Sequence, residues 1–402
     1  MIAPAVAQQG QPNPAQQAAK ALLQAADKAI GASSVKSLSA TAANGRMGYP
    51  GQQFARGDLP RTDLKNWTFT EDLGSKSAKW EYTRVQGNNP IQGGGAGFPV
   101  QGDQKFTEFV NGNFAWNVSP QGQPAPINPR DAANRQLRLW VHPVSFIQAA
   151  LADPNAAATD RYYARQNRTV KVVGFTTKVC DRPQPQCTRR VTGEFNDQNL
   201  LERTITWFAD PVMGDEMVEF RWSDYRDIGG GVKVPFHVHA HIGDHPLIPG
   251  GHNFLDVQFS DIKANVADAA QAVPDAVRSA PPVTTNRVVA TTLAPGVVLM
   301  GGGSHNSIAV EFKDYVVMIE APLDQQRSLA VIAPTSRSSM WSTPTITSII
   351  WVECVPTRRK ARQSSPTIAT ETSTSGSFWL RSRGLCSPTG CRNGRLHPPV
   401  RA

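Results

Sequence analysis

The residues best suited to chemistry in this sequence are three histidines spaced two apart, His237-x-His239-x-His241, followed by Asp244 and His245. On a β-strand, residues two apart share one face and lie roughly 7 Å from each other, so two of these imidazoles could grip one metal ion. His237, His239 and His241 are therefore the metal-ligand candidates. Gly243 interrupts the spacing that a two-zinc hydrolytic site needs, and Pro246 follows at once. A polar stripe on the solvent side of an antiparallel strand explains the same alternation and is the preferred reading, so no metal site is assigned.

Ser304-His305 beside Gly301-Gly302-Gly303 suggests a nucleophile and a base, but adjacent strand residues point to opposite faces and cannot form a dyad. The glycine triplet reads as a turn, lacking the lysine and helix of a phosphate loop. No catalytic residue is assigned. Cys180 and Cys187 leave two readings open. They could form a disulfide that clips a hairpin tip in an oxidising compartment, or they could be two free thiols.

A chain of 402 residues with 40% hydrophobic residues can bury a sizeable core. No apolar run reaches the roughly 18 residues that a membrane-spanning helix needs. The formal charge of +9 is uneven: from Pro334 onward ten Lys/Arg stand against two acids, which is +8, and leaves +1 for everything before. A nearly neutral body has no electrostatic footprint for nucleic acid. At the start, Ala5-Val6-Ala7 before Gln8-Gln9 reads as a small-x-small signal-peptidase site, the alternative being an Ala-rich terminus. The charged and apolar regions of a signal are not seen before it, which puts export of this chain in question although the reading remains periplasmic or secreted.

Asn13-Pro14 predicts a helix start and Gly31 its stop, with Ala18, Leu22, Ala25 and Ala29 along one face and Leu23, Ala26 and Ile30 beside it. Trp80, Tyr82 and Arg84 alternate as a strand does, and Asn111-Gly112 between two apolar runs predicts a hairpin. A second helix is expected from Pro143 to a stop before Pro154. Strands follow at 169–175, 201–208, 217–222, 234–241 and 254–259, and again at 287–292, 297–300, 307–312 and 315–320. Residues 264–282 are rich in Ala, Pro and Val and read as a linker. From Pro334 periodicity vanishes, as in a disordered segment.

Ala294-Pro295-Gly296-Val297, Gly302-Gly303-Ser304-His305-Asn306-Ser307 and Val317-Met318-Ile319-Glu320-Ala321-Pro322 together resemble the opening strands of metallo-β-lactamase-fold metallo-hydrolases. More narrowly, the chain resembles a bacterial secreted subgroup whose N-terminal domain is similar to periplasmic lipoprotein carriers. Leu201-Glu202-Arg203, Asp210-Pro211-Val212-Met213-Gly214-Asp215 and Ser223-Asp224-Tyr225-Arg226-Asp227 are the segments similar to that domain. The resemblance implies a His-x-His-x-Asp-His zinc motif next, yet Thr343 to Cys354 carries none. Codons allowed for Ser342 to Cys354, read one base out of frame, permit Asn-Thr-His-His-His-Phe-Asp-His-Leu-Gly-Gly-Met. The chain therefore reads as frameshifted near Ala333-Pro334 and truncated before its zinc motif.

The expected fold class is α+β: an N-terminal antiparallel sheet with a few helices, then the incomplete start of an αββα metallo-β-lactamase-like domain and a disordered tail. The expected segments are 1–12, a signal remnant; 13–263, a β-rich domain; 264–285, a linker; 286–333, the first strands of the hydrolase domain; and 334–402, an out-of-frame tail. The resemblance implies a zinc-dependent hydrolase of a small molecule that is inactive as encoded, with no cofactor held by this chain. The alternative is a periplasmic binding or carrier-like domain for an apolar ligand.

Overall fold

The computed structural model describes residues 13–48, 59, 61–87, 100–179, 188–210, 214–243, 252–283, 288–302, 306–312, 315–320, 348–356, 364–372 and 380–383. The chain divides into two units, one of residues 1–210 and 215–283, the other of residues 211–214 and 284–402. No helix among the described residues is long and apolar enough to cross a membrane.

The first unit opens with helix α1 (Pro14–Ile30). Asn13 accepts from the Gln16 backbone N–H while the Gln16 side chain returns to the Asn13 N–H, closing a capping box with Pro14 at the first helical position. Gly31 stops the helix at φ 67°, where an added Cβ would lie 2.4 Å from the Gly231 carbonyl oxygen. Only glycine fits there. The buried face is Ala19, Leu23, Ala26 and Ile30, one residue round from the face expected first, and Ala18 is exposed.

Fifteen strands follow: β1 (Ser37–Ala42), β2 (Gly45–Gly48), β3 (Arg61–Asp72), β4 (Ser77–Gln86), β5 (Gln104–Asn111), β6 (Phe114–Val118), β7 (Pro124–Pro126), β8 (Ala157–Tyr163), β9 (Arg168–Thr177), β10 (Arg189–Phe195), β11 (Leu201–Asp210), β12 (Gly214–Asp227), β13 (Lys233–Ile242), β14 (His252–Gln258) and β15 (Asp261–Ala264). They form one sheet in the order β7-β6-β5-β4-β3-β2-β14-β13-β12-β11-β10-β9-β8, with β1 bonded to β3 and β15. Helices α2 (Pro129–Leu137) and α3 (Pro143–Ala152) lie between β7 and β8 in the chain.

The centre of this sheet is bent. β1 and β2 pair along β3 in one unbroken register, Ala42 opposite Trp67 and Gly45 opposite Leu64. On their other edge they pair with β15 and β14, Thr41 opposite Asp261 and Gly45 opposite Val257. The breaks at Ala43-Asn44 and Phe259-Ser260 thus face each other, and β3 carries a bulge against β4 between Leu64 and Asn66. Bulges and breaks bend strands and deepen twist, so this line is where the sheet curls.

The hairpin β5–β6 forms as the Asn-Gly pair predicts, but its loop is Gly112-Asn113, with Asn111 opposite Phe114. Gly112 takes the positive φ of 53° at the first loop position, and Asn111, kept on the strand, donates from Nδ2 to the Gln271 carbonyl at 2.7 Å. Ala269 and Val277, inside the stretch whose composition suggests a linker, are buried, with Val277 in the short helix α4 (Asp275–Arg278).

The second unit is a single sheet of seven strands in chain order: β16 (Val289–Ala294), β17 (Val297–Gly301), β18 (Ser307–Glu311), β19 (Tyr315–Ile319), β20 (Ser348–Pro356), β21 (Ser364–Thr372) and β22 (Leu380–Arg383). Only β19–β20 is parallel. This corrects the expected fold class. An αββα domain sandwiches its sheets between helices and so buries both strand faces. Here Val298, Met300, Ala309, Val316 and Met318 are buried while their strand neighbours are half-exposed or exposed, and no helix occurs among the described residues of this unit. What was read as the opening of a metallo-β-lactamase domain is an antiparallel meander buried on one face.

Candidate ligand-binding cavity

The inward face of the first sheet is aromatic. On β3, Trp67 and Phe69 are buried two apart; on β4 Trp80 is buried; on β12 Phe220 and Trp222 are. Six strands separate β4 from β12 inclusively, which in a flat sheet is about 24 Å at the usual strand spacing. The rings nonetheless form a continuous path. Trp80 stacks on Phe69 at 5.4 Å between centroids, Phe69 lies 6.5 Å from the His142 ring, and His142 meets Trp222 edge-on at 5.2 Å. The central bend brings the two halves of the sheet towards each other, and His142, from the α2–α3 connection, fills the gap.

Under this connection lies a cavity of about 80 Å³. Its walls are those aromatic rings together with Leu38 and Ala40 of β1, Met47 of β2, Leu255 of β14, Val238 of β13 and Ile262 of β15. A single water needs roughly 10–15 Å³, so the space admits a short apolar segment rather than a whole bulky molecule. Such walls favour hydrocarbon, because each methylene taken from water contributes about 0.8 kcal/mol.

The connection is held by hydrogen bonds to the sheet. Trp222 Nε1 donates to Thr204 Oγ1 at 3.0 Å, and Thr204 Oγ1 donates to the Val141 carbonyl at 2.9 Å. His142 caps α3, its Nδ1 accepting from the Val144 N–H at 3.4 Å. Burial pushes the His142 imidazole down to about 3, so it is neutral at physiological pH and adds no charge to the cavity. Among the described residues Arg138 is the one charged side chain in the lining; its guanidinium lies 3.9 Å from the centre of the Trp80 ring and pairs with Glu108 at 3.0 Å. Burial pushes the Glu108 carboxyl up, but Arg135 and Arg138 outweigh it and hold it below its ordinary range. Tyr82 Oη also donates to Glu108, at 3.0 Å. Arg135 is buried and donates to the Phe109 and Trp116 carbonyls at 3.2 and 2.8 Å.

The metal-ligand candidates take another face. His237, His239 and His241 alternate on β13 with buried Val238, Ala240 and Ile242, so they point away from the core. His237 Nε2 meets Asp256 Oδ1 at 2.8 Å and its Nδ1 meets Ser223 Oγ at 2.9 Å. His239 Nε2 and His241 Nε2 are hydrogen-bonded at 2.9 Å, and His241 Nδ1 lies 3.7 Å from Glu219. Burial, then the neighbouring His241, pushes His239 below its ordinary range. Burial pushes Glu219 up, yet the hydrogen bond to His241 and the charges of Arg203 and Arg221 bring it down to about 2. Among the described residues no group of three or more His, Cys, Asp or Glu side chains is placed to hold a metal ion. Asp244, His245, Ser304, His305, Cys180 and Cys187 lie outside the described residues.

No family model matches the chain, and no curated protein matches it. Solved structures do. A LolA superfamily protein from Nitrosomonas europaea is 12% identical, with 65% of this chain and 97% of that chain covered at a TM-score of 0.33. A putative outer membrane lipoprotein-sorting protein domain from Vibrio parahaemolyticus is 8% identical, covering 63% and 94% at a TM-score of 0.36. A DUF1329 family protein from Desulfovibrio piger is 10% identical, covering 66% and 97% at a TM-score of 0.31. The one-face-buried meander of the second unit corrects the resemblance to metallo-β-lactamase-fold hydrolases. The truncated-hydrolase function that rested on it falls with it.

Sequence reasoning missed most of the cavity. Strand β3, which supplies Trp67 and Phe69, escaped because Leu64 and Trp67, three apart, both turn inward across the bulge and break the alternation. Helix α2 escaped because its buried residues include Arg135 and Gln136, so no apolar stripe marks it. Asn128-Pro129, the same cap-and-proline pair that starts α1, was the signal that could have found it.

Proposed function

We propose that the first unit is a binding domain that holds an apolar ligand, a hydrocarbon chain or chain end, in the aromatic cavity beneath the α2–α3 connection. The observation that carries this reading is the ring path Trp80–Phe69–His142–Trp222, which encloses apolar space with, among the described residues, a single charged side chain in its lining, itself already paired. Pockets of this kind, apolar with few polar groups, are the usual form of small-molecule sites. Export to the periplasm, supported by the Ala5-Val6-Ala7 motif, belongs to the same proposal.

The test is quenching of tryptophan fluorescence by an alkyl chain carrying bromine at its end. Trp67, Trp80 and Trp222 line the cavity, so the full chain should show saturable quenching. Ala40→Leu, which fills part of the cavity, should weaken it at least tenfold while the protein remains folded. Linear, non-saturating quenching, or identical curves for the two proteins, rules the reading out.

A further inference from the structure

A second, larger cavity, of about 520 Å³, lies on the other side of the Arg138–Trp140 turn. That volume falls inside the range of roughly 300–1,000 Å³ common for small-molecule sites. Its apolar wall includes Leu73, Leu139, Ala149 and Phe175. Its polar groups are unusual. Glu71 is on the inward face of β3, two residues beyond Phe69, and only 2% exposed. Its Oε2 is buried and has no hydrogen-bond partner within the protein among the described residues, and the same holds for Trp140 Nε1.

Leaving such groups unsatisfied is costly, because each has given up its bonds to water. A fold that only needed to pack would put leucine and phenylalanine there, as the aromatic cavity next to it does. Burial, with the charge of Asp72 adding to it, raises the Glu71 carboxyl well above its ordinary range. Burial thus favours the protonated carboxyl, which can donate, as can the indole N–H. Among the described charged residues of the lining, Lys76 and Lys178 are exposed and Asp153 is the one carboxylate besides Glu71; the Lys76 ammonium lies 5.4 Å from the centre of the Trp140 ring. Two unpaired donors in the wall and exposed cations in the same lining suit one kind of group, an acceptor that carries negative charge.

We propose that this cavity binds a small organic carboxylate with an apolar body, its oxygens accepting hydrogen bonds from the Glu71 carboxyl group and the Trp140 indole N–H. The site is separate from the aromatic cavity and does not depend on it being filled.

The probe is hexanoate, with hexanol and hexyltrimethylammonium as controls, titrated into the full chain labelled with ¹⁵N-tryptophan. The Trp140 indole resonance is identified by its loss in Trp140→Phe. Hexanoate should move that resonance saturably, hexanol at least tenfold more weakly, and the cation not at all. Glu71→Gln keeps a donor at the same place and should bind within about threefold of wild type. Glu71→Met keeps the shape without the donor; it should bind at least tenfold more weakly while unfolding at a temperature no lower than wild type. A Trp140 resonance that hexanoate leaves unmoved overturns the proposal, and so does equal binding by Glu71→Met. Displacement of the bromoalkyl probe without a Trp140 shift overturns it as well, by placing hexanoate in the aromatic cavity. A fall in stability of Glu71→Met that accounts for its weaker binding would reduce Glu71 to a packing residue and overturn it too.

Discussion

The His142 ring stands edge-on to Trp222, centroids 5.2 Å apart and planes at 75°, and joins a helix connection to the far half of the sheet. An imidazole in that position must be neutral, and the fold pays for this at low pH.

The first prediction follows from that neutrality. The ordinary histidine value is 6.5 and burial lowers it to about 3. The unfolded chain therefore binds a proton that the folded chain refuses, and stability is lost as pH falls from about 6.5 towards 3. Each unit in that window should cost up to about 1.4 kcal/mol. Urea midpoints measured from pH 7 to 4 should fall steeply for wild type and less steeply for His142→Gln. Parallel curves would show that His142 titrates freely.

Glu71 should act with the opposite sign. Its folded value is raised, so its stability contribution is complete below the ordinary carboxylate range and declines as pH rises from about 4.5. Glu71→Gln removes the titrating group, so the variant should gain stability relative to wild type as pH rises from 4 to 7. An unchanged difference between the two proteins over that range contradicts a raised Glu71.

The Glu108 network should be costly to break from one side. Arg135→Met leaves the Phe109 and Trp116 carbonyls without their donor and Glu108 with Arg138 and Tyr82 alone. The expected loss is about 3 kcal/mol, read from denaturant midpoints. Arg138→Met, whose side chain is more exposed, should lose less stability but alter the mouth of the aromatic cavity.

At the end of α1, Gly31→Ala meets both a left-handed backbone and the Gly231 carbonyl. A loss of at least 1–2 kcal/mol is expected, with the far-ultraviolet helix signal retained. By contrast Asn13→Ala removes a capping box and should cost about 1 kcal/mol. If Gly31→Ala proved milder than Asn13→Ala, the close approach at Gly231 would not be as drawn.

Local chemistry alone determined a good part of this protein. The ends of α1 lie where Asn13-Pro14 and Gly31 put them, because capping and left-handed closure involve groups within a few residues of one another. The hairpin at Gly112 and the strand carrying His237 to His241 follow from turn chemistry and period-two alternation for the same reason. The alternation also showed that the histidines share a face, but not which groups would face them: Asp256 and Glu219 come from neighbouring strands.

What only the tertiary structure decided is where distant faces meet. Leu38 and Ile262 line one cavity although 224 positions apart in the numbering, and Trp80 reaches Trp222 through Phe69 and His142. Periodicity says that a face is apolar; it carries no information on how far a sheet curls, and here the curl depends on a bulge and two facing breaks. The second unit makes the same point. The run Val297 to Met300 is equally apolar whether helices cover both sides or one face is open, so its one-sided burial could be read only from the folded chain.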